Sequence, residues 1–445
     1  MKNNNINILS ALNLMATVFL SLCVLSVLCV VPAQAEDEEV KGLMEVNLSV
    51  KPDPLAPTVE KSIDHLYAVL QKKGPAFDMA QIQDMLDFVM DTPGDPKDIE
   101  PAKRFGGKGI CLRRQVSTDL ERILRFFYNP EIPNFLLCPA VLAQSGWREG
   151  SEFLARDKGM WEELDNLATP IIVRGKEYEM TAPDSFAEAY YLYDLNRLMI
   201  LCTYRDKRIL ISVTEQADKS DVGRKGAILN DQEWDYFYSG IPGLNKGMIG
   251  WMDTFTYASG SVQVYVEDLT GAPTTTVFLF KWLKAGWAGL NVVKRSHIYD
   301  GTLRYARSFA KVMESTNLTP DMVATAMKEV AQLTEADMEK LMKEYSVNFE
   351  ARFKSNPKLE TNDYAEIIEN GDYLNVLDNK SRRSLLALEK LKSLLGMETL
   401  VSVGSAPVPV QAVTEVPVEE DVEKVVVPLE TAKDAGIQSE IIPEG

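Results

Sequence analysis

Histidine and cysteine are scarce in this 445-residue chain, and their scarcity removes several classes of enzyme. There are two histidines, and the five cysteines form no Cys-x-x-Cys motif. Zinc sites and thiol redox centres usually need such clusters. Neither Gly-x-Ser-x-Gly nor His-Glu-x-x-His occurs, so serine-hydrolase and zinc-protease chemistry lose their sequence support. We therefore expect no metal, no cofactor and no catalytic residue set.

Positive charge is also in deficit. Against 65 acids the chain has 47 bases, which gives a formal net charge of -18. Such a surface repels phosphate backbones, so we expect no nucleic-acid partner. Hydrophobic residues make up 46% and charged residues 25%, which are ordinary globular values that allow a sizeable core. Disorder along the whole chain is thereby excluded.

The first 35 residues have the layout of a signal peptide. Residues 14–31 carry no charge, and Ala33-Gln34-Ala35 supplies the small residues that signal peptidase reads. We expect cleavage after Ala35 and a periplasmic or secreted protein with no transmembrane span. The apolar run is long for a signal core, so an uncleaved N-terminal membrane anchor is the alternative.

Export would permit disulfides, and three cysteines follow the signal segment. Because three is odd, at most one intramolecular pair can form, and we expect Cys111 to pair with Cys138. Cys202 lies in a strongly β-patterned run, which indicates a buried free thiol.

Changes in composition divide the mature chain into segments, and no internal repeat is present. The last segment has no aromatic residue and is rich in Val, Pro and Glu, which is typical of a disordered tail. We expect an acidic, proline-containing linker at 36–60, an N-terminal helical region at 61–150, an α+β domain at 151–315, a helical appendage at 316–400 and a disordered acidic tail at 401–445.

The central segment carries β patterns. Val262, Val264 and Val266 alternate with polar or amphipathic residues such as Gln263, which predicts a strand with one core face and one wetter face. Predicted strands are 171–180, 188–195, 198–204, 209–214, 248–257, 262–267 and 276–284, with helices at 151–167, 231–238 and 301–313. The predicted fold class is therefore α+β: a central antiparallel β-meander of six to seven strands that clasps a C-terminal helix, with flanking helical segments.

This order of elements resembles the helix-grip arrangement of START-like lipid-binding domains, over roughly residues 151–315. The run 284–293 leading into 303–313 resembles the closing strand, loop and helix of that superfamily. A half-barrel similar to periplasmic lipoprotein carriers would give nearly the same pattern. Both resemblances imply a curved sheet that holds a helix over an apolar cavity.

Several residues are candidates for the lining of such a cavity, and each has a structural alternative. Aromatic residues also fill cores, a lone histidine has no partner for a triad or metal site, and a strand carboxylate often lies at a wet rim. His65, the other histidine, points away from the apolar face of its predicted helix, so we expect it to be a surface residue. The candidates are Trp251, Asp253, Phe255, Tyr257, Phe278, Phe280, Trp282, Arg295, His297 and Arg304.

Two basic segments interrupt the general acidity, at 101–125 and at 294–311. A basic run is usually a solvated face that nearby acids neutralise, and this is the default interpretation. The functional alternative is a site for an anionic head group in front of the cavity.

Together these patterns predict a non-catalytic exported protein that binds a hydrophobic or lipid-like ligand in a hollow beneath residues 301–313. The basic segments extend this prediction to ligands that carry a negative charge. The alternative is a cell-envelope interaction or scaffold protein without a small-molecule ligand, which would bind a partner protein through its appendage or tail. An enzyme that uses a carboxylate such as Asp253 is the third hypothesis.

Overall fold

The computed structural model of this protein describes residues 48–74, 76–245, 251–360 and 376–404. The chain divides into two units, residues 1–406 and 407–445, and every described residue belongs to the first. The predicted signal peptide, residues 36–47 of the predicted linker and the predicted tail from residue 405 onward lie outside the described residues.

The described residues form an α+β fold, as predicted. The strands are β1 (Asp53–Pro54), β2 (Ile99–Glu100), β3 (Lys108–Val116), β4 (Leu142–Trp147), β5 (Ile171–Thr181), β6 (Ala189–Tyr190), β7 (Leu192–Tyr204), β8 (Lys207–Gln216), β9 (Arg224–Asn230), β10 (Asp235–Pro242), β11 (Leu244–Asn245), β12 (Trp251–Met252), β13 (Thr254–Asp268) and β14 (Thr274–Trp287). The helices are α1 (Pro57–Leu70), α2 (Gln83–Asp91), α3 (Leu120–Phe127), α4 (Arg295–Met313), α5 (Pro320–Gln332), α6 (Glu335–Phe353) and α7 (Asn379–Leu394).

One antiparallel sheet of seven strands organises the fold, in the order β3-β14-β13-β8-β7-β5-β4. The predicted central meander of six to seven strands is therefore confirmed. Arg205 and Asp206 form the two-residue turn between β7 and β8, and both have positive φ, 47° and 59°. This backbone shape matches the right-handed twist of the two strands it joins.

Both faces of the sheet are covered, because side chains alternate between the faces along each strand. The first face packs against α1 and α2, where Ile63, Leu66 and Leu86 meet residues such as Val262 and Val264. The second face packs against α3 and α4 and continues into the core that α5, α6 and α7 share. The predicted appendage at 316–400 thus belongs to the same core as the sheet.

The region 61–150, predicted to be helical, also supplies both edge strands of the sheet. Helices α2 and α3 and most of α1 lie in this region, and the Asp119 carboxylate caps α3 by accepting from the Arg122 backbone N–H. However, β3 pairs with β14 and β4 pairs with β5. Lys108–Val116 carries three bases, which the sequence interpretation assigned to a charged face, not to a strand.

Three local predictions in the central segment were wrong. The helix expected at 151–167 is two short 3-10 turns, Glu152–Ala155 and Met160–Glu163, because Phe153 and Met160 anchor each turn in the core separately. Residues 231–238 form a turn and the strand β10, whose residues are buried on both faces and so show no clear alternation. The expected break at 196–197 does not exist, since β7 runs through it.

The cysteine prediction is corrected in one part and confirmed in the other. Cys111, Cys138 and Cys202 are all buried free thiols. Cys111 lies in the core of the first sheet face and Cys138 in the core of the second, so the sheet separates them. Burial as a free thiol is what the sequence predicted for Cys202.

The structure corrects two further predictions, for His65 and for the start of the C-terminal tail. His65 is buried, 5% exposed, and its Nε2 accepts a hydrogen bond of 3.1 Å from the Asp78 backbone N–H, so it is not a surface residue. The predicted tail does not begin at residue 401, because Val401 and Val403 are buried in the large core. Lys390 donates to the Val403 carbonyl at 2.9 Å, which fixes this segment on α7.

Candidate functional site

A cavity of about 290 Å³ lies between the second face of the sheet and the N-terminal half of α4. His297, Ile298, Gly301, Thr302 and Tyr305 form its helical side. Gly301 faces open space, since a Cβ atom added there would have no neighbour within 4 Å.

Beneath the C-terminal half of the same helix the space is filled. Phe309, Val312 and Met313 are fully buried in the large core. Phe309 packs against Phe127 and Tyr265 at ring-centroid distances of 6.1 and 6.3 Å. The hollow expected beneath residues 301–313 is therefore present under residues 297–305 only.

The strands give the cavity a polar floor. Ser259, Ser261 and Gln263 project from β13 at alternate positions, and Thr214 joins them from β8. The Thr214 and Ser261 hydroxyls bond each other at 2.6 Å. Leu279, Leu283 and Val293 add apolar surface around this floor. The cavity is therefore amphipathic, with polar groups converging on one side.

Four charged side chains form a group at the polar end of the cavity. Glu179 from β5, Arg197 from β7 and Lys281 from β14 line the cavity, and Glu177 from β5 pairs with Arg197. Arg197 donates from Nε to Glu177 and from Nη1 to the Ser212 hydroxyl at 2.6 Å. Its Nη2 lies 4.0 Å from Oε1 of Glu179. Glu177 and Arg197 are 1% and 4% exposed at their side chains, so this pair is buried.

Glu179 and Lys281 complete this group, and both line the cavity. The Tyr193 hydroxyl donates to Oε2 of Glu179 at 3.1 Å, and Lys281 donates to the Ser259 hydroxyl at 2.8 Å. Burial raises the pKa of Glu179, and the neighbouring Glu177 adds to the rise. Burial lowers the pKa of Lys281, which the Glu179 charge partly opposes. Removal from bulk water thus disfavours the charged form of both side chains.

His297 lines the cavity, and its ring stacks on Phe186 at a centroid distance of 3.8 Å. Its Nδ1 accepts from the Lys294 backbone N–H at 3.3 Å. Nε2 is buried and has no hydrogen-bond partner among the described residues. Burial and the nearby Lys294 and Lys108 charges lower the pKa of His297 to about 4. The ring is therefore neutral at physiological pH.

Of the ten candidate residues from the sequence, the structure places His297 and Arg304 at the cavity. Arg304 is a clamp within the fold: Nε and Nη2 reach Asp231 at 2.9 and 2.7 Å, and Nη1 reaches the Pro183 carbonyl at 3.2 Å. Its hydrogen-bonding capacity is largely used by the protein.

The aromatic candidates on β14 belong to the opposite face of the sheet. Phe278, Phe280 and Trp282 are fully buried against α1 and α2, and Phe88 contacts the two phenylalanines. They form a filled core, which was the structural alternative for each of them.

Asp253, Phe255 and Tyr257 also lie outside the cavity lining. Phe255 and Tyr257 contact each other and the side chains of Lys219 and Lys284, and the Tyr257 hydroxyl accepts from the Gly289 N–H. Asp253 is exposed. The side chain of Trp251 lies outside the described residues.

Arg295 joins the start of α4 to the N-terminal part of the described chain. Its guanidinium donates to the carbonyls of Lys97 and Ser49 at 3.1 and 3.4 Å. It therefore fixes the helix rather than binding a guest.

The basic segments are largely engaged within the fold, in line with the default interpretation. Arg104 pairs with Glu60 at 2.6 Å, and Arg114 pairs with Asp95 at 2.9 Å. Arg122 donates to backbone carbonyls at and beyond the end of α4, including that of Met313 at 2.8 Å. An anionic head group would have to displace these contacts.

Sequence reasoning missed Glu179, Arg197 and Lys281. One signal was present: the predicted wetter face of the strand at 262–267 includes Gln263, which lines the cavity. Polar residues at alternate positions on neighbouring strands, such as Glu177 and Glu179, would have extended that face. Their convergence depends on strand order, which the local pattern does not contain.

Within the described ranges, no group of His, Cys, Asp and Glu side chains is arranged to hold a metal ion. None of the described helices combines the length and apolar character that a membrane crossing needs. No protein-family model matches the chain, and a search of curated proteins finds no match.

Proposed function

We propose that this protein binds a small hydrophobic or lipid-like molecule in the cavity beneath α4. The observation that carries the proposal is a hollow of about 290 Å³ with apolar surface and a converging polar floor. Ligand pockets have this character, and their usual volumes of about 300–1,000 Å³ make this one small. The guest is therefore small, of the size of a short-chain compound or of an aromatic compound with two or three rings.

The START-like resemblance and the exported location are parts of the same proposal. A sheet that meets one amphipathic helix across a cavity agrees with that resemblance, although fold analogy alone does not establish function. Binding is favoured over catalysis because Asp253, the carboxylate that motivated the enzyme hypothesis, is exposed and outside the cavity. The scaffold alternative loses one of its two supports, since α5, α6 and α7 pack into the core of the sheet.

Gly301 offers a direct test with the neutral fluorescent probe N-phenyl-1-naphthylamine, whose emission rises in apolar surroundings. Gly301→Leu fills the space next to the helix without meeting any atom at its Cβ. We expect at least about tenfold weaker probe binding, whereas stability should not fall, because glycine within a helix costs about 0.5–1 kcal/mol relative to alanine. Fluorescence titration and urea unfolding measure the two quantities.

Ser296→Leu is the matched control, since Ser296 is exposed on the same helix and does not line the cavity. It should bind the probe like the wild-type protein. Equal probe affinity in Gly301→Leu and wild type would contradict the proposal.

A further inference from the structure

The charges at the polar end of the cavity balance. Glu177 and Glu179 both lie within 4.0 Å of Arg197, and the charge of Glu179 also acts on Lys281. The group therefore contains two acids and two bases. The net charge of these four side chains stays zero if the proton of Lys281 is transferred to Glu179. A guest therefore meets a neutral group of polar side chains in either arrangement.

The other ionisable groups of the lining add no surplus positive charge. Arg304 is neutralised by Asp231 at 2.7 Å. The Asp184 carboxylate accepts from the backbone N–H groups of Phe186 and Ala187, and His297 is neutral above a pH of about 4. Lys281 forms no ion pair within 4.0 Å among the described residues, but the Glu179 charge offsets its own. Within the described lining, an anionic guest would thus find no net positive charge.

Lys281 nevertheless has donors to offer. A protonated lysine has three N–H groups, and Ser259 accepts from Nζ at 2.8 Å. No other hydrogen bond joins Nζ to the described residues, so two donors are left for a guest. An acceptor atom of the guest would form a hydrogen bond with a donor that the fold itself does not use.

We infer that the guest is an uncharged molecule with an oxygen head group, an alcohol, ketone or ester, whose oxygen accepts a hydrogen bond from Lys281. A carboxylate would bring an uncompensated negative charge beside Glu177 and Glu179, which is unfavourable in a buried site. This inference rests on the proposed function, because it names the ligand class of the same cavity.

The test compares octan-1-ol with octanoate as competitors of N-phenyl-1-naphthylamine at neutral pH. Any apolar hollow favours the alcohol, so charge-changing variants carry the test. Glu179→Gln gives the group one surplus positive charge, and octanoate should then bind about tenfold more tightly while octan-1-ol is little affected. Lys281→Met removes the donor, and octan-1-ol should then bind about tenfold more weakly.

Lys284→Met is the matched control. Lys284 lies on the same strand, does not line the cavity and extends over the Tyr257 ring at 5.4 Å. Its substitution should change neither competitor. Urea unfolding shows whether each variant is folded. Glu179→Gln keeps the shape of the side chain, so it still tests the inference if Lys281→Met does not fold.

The outcomes separate the two claims. Failure of the wild-type protein to bind the probe would remove the proposed function and this inference with it. Probe binding with an octanoate affinity that Glu179→Gln leaves unchanged would overturn the inference alone, as would wild-type protein that binds octanoate more tightly than octan-1-ol.

Discussion

His297 combines an apolar stacking partner with two nearby lysines. Burial beside Phe186 and the charges of Lys294 and Lys108 all favour the neutral ring, and the pKa falls to about 4. In the unfolded chain the pKa of a histidine is about 6.5. The unfolded state therefore binds more protons than the folded state between these two values.

Stability should consequently depend on pH in that window. Because the folded pKa of His297 is depressed, its contribution is complete above a pH of about 6.5 and declines as the pH falls towards about 4. His297→Gln should unfold at urea concentrations that depend less on pH across this range. NMR titration measures the pKa directly, since the chain has two histidines. A value for His297 at or above 6.5 would contradict this assignment.

The same residue shows how far single positions can be predicted from the sequence. The sequence placed His297 next to the predicted cavity because it lies between the last strand and the covering helix. Phe278 and Trp282 were misplaced because alternation predicts that a strand has two faces but not which face meets which helix. Lys281 escaped notice since a lysine inside an apolar strand gives no local signal of what it faces.

At the scale of elements, the position of α4 over the cavity depends on contacts at both of its ends. Arg295, the first residue of the helix, donates to the backbone carbonyl of Lys97. Arg122, from α3, donates to the carbonyls of Met313, Ser315 and Leu318 at 2.7–2.8 Å. These carbonyls lie at and beyond the helix end, where backbone acceptors lack helical partners.

Arg122→Gln should therefore destabilise the protein by about 2 kcal/mol, because hydrogen bonds to a charged group contribute about 1.5–3 kcal/mol. Urea unfolding gives the value. Arg125→Gln is the control on the same helix: Arg125 pairs with Glu121 at 2.8 Å at the surface, where such a pair contributes about 0.3–0.5 kcal/mol. Equal losses in the two variants would show that the carbonyl contacts of Arg122 add no special stability.

Elements with strong local signals were predicted well. Threonine is a residue type that favours the start of a helix, and Thr319 and Thr334 cap α5 and α6, each accepting a hydrogen bond from a backbone N–H in the first turn. Elements defined by tertiary contacts were not: β3 reads as a basic segment and β10 as a short helix. For each of these segments, pairing with a neighbouring strand overrides the preference of the local sequence pattern.

At the scale of the whole molecule, the sheet draws on distant parts of the chain. The predicted α+β domain at 151–315 contains β5, β7, β8, β13 and β14, but the two edge strands come from residues before it. Helices α1 and α2, which also precede it, cover the apolar first face. A contiguous domain at 151–315 would expose that face together with two unpaired strand edges.

A fragment of residues 151–315 should consequently fail to fold as a monomer, whereas residues 48–404 should unfold cooperatively like the full chain. Exposed apolar sheet faces and unpaired edges lead to aggregation. Size-exclusion chromatography and near-UV circular dichroism compare the two fragments. A monomeric 151–315 fragment with native aromatic signals would show that the edge strands and α1–α2 are dispensable additions, and the cavity would then belong to the central segment alone.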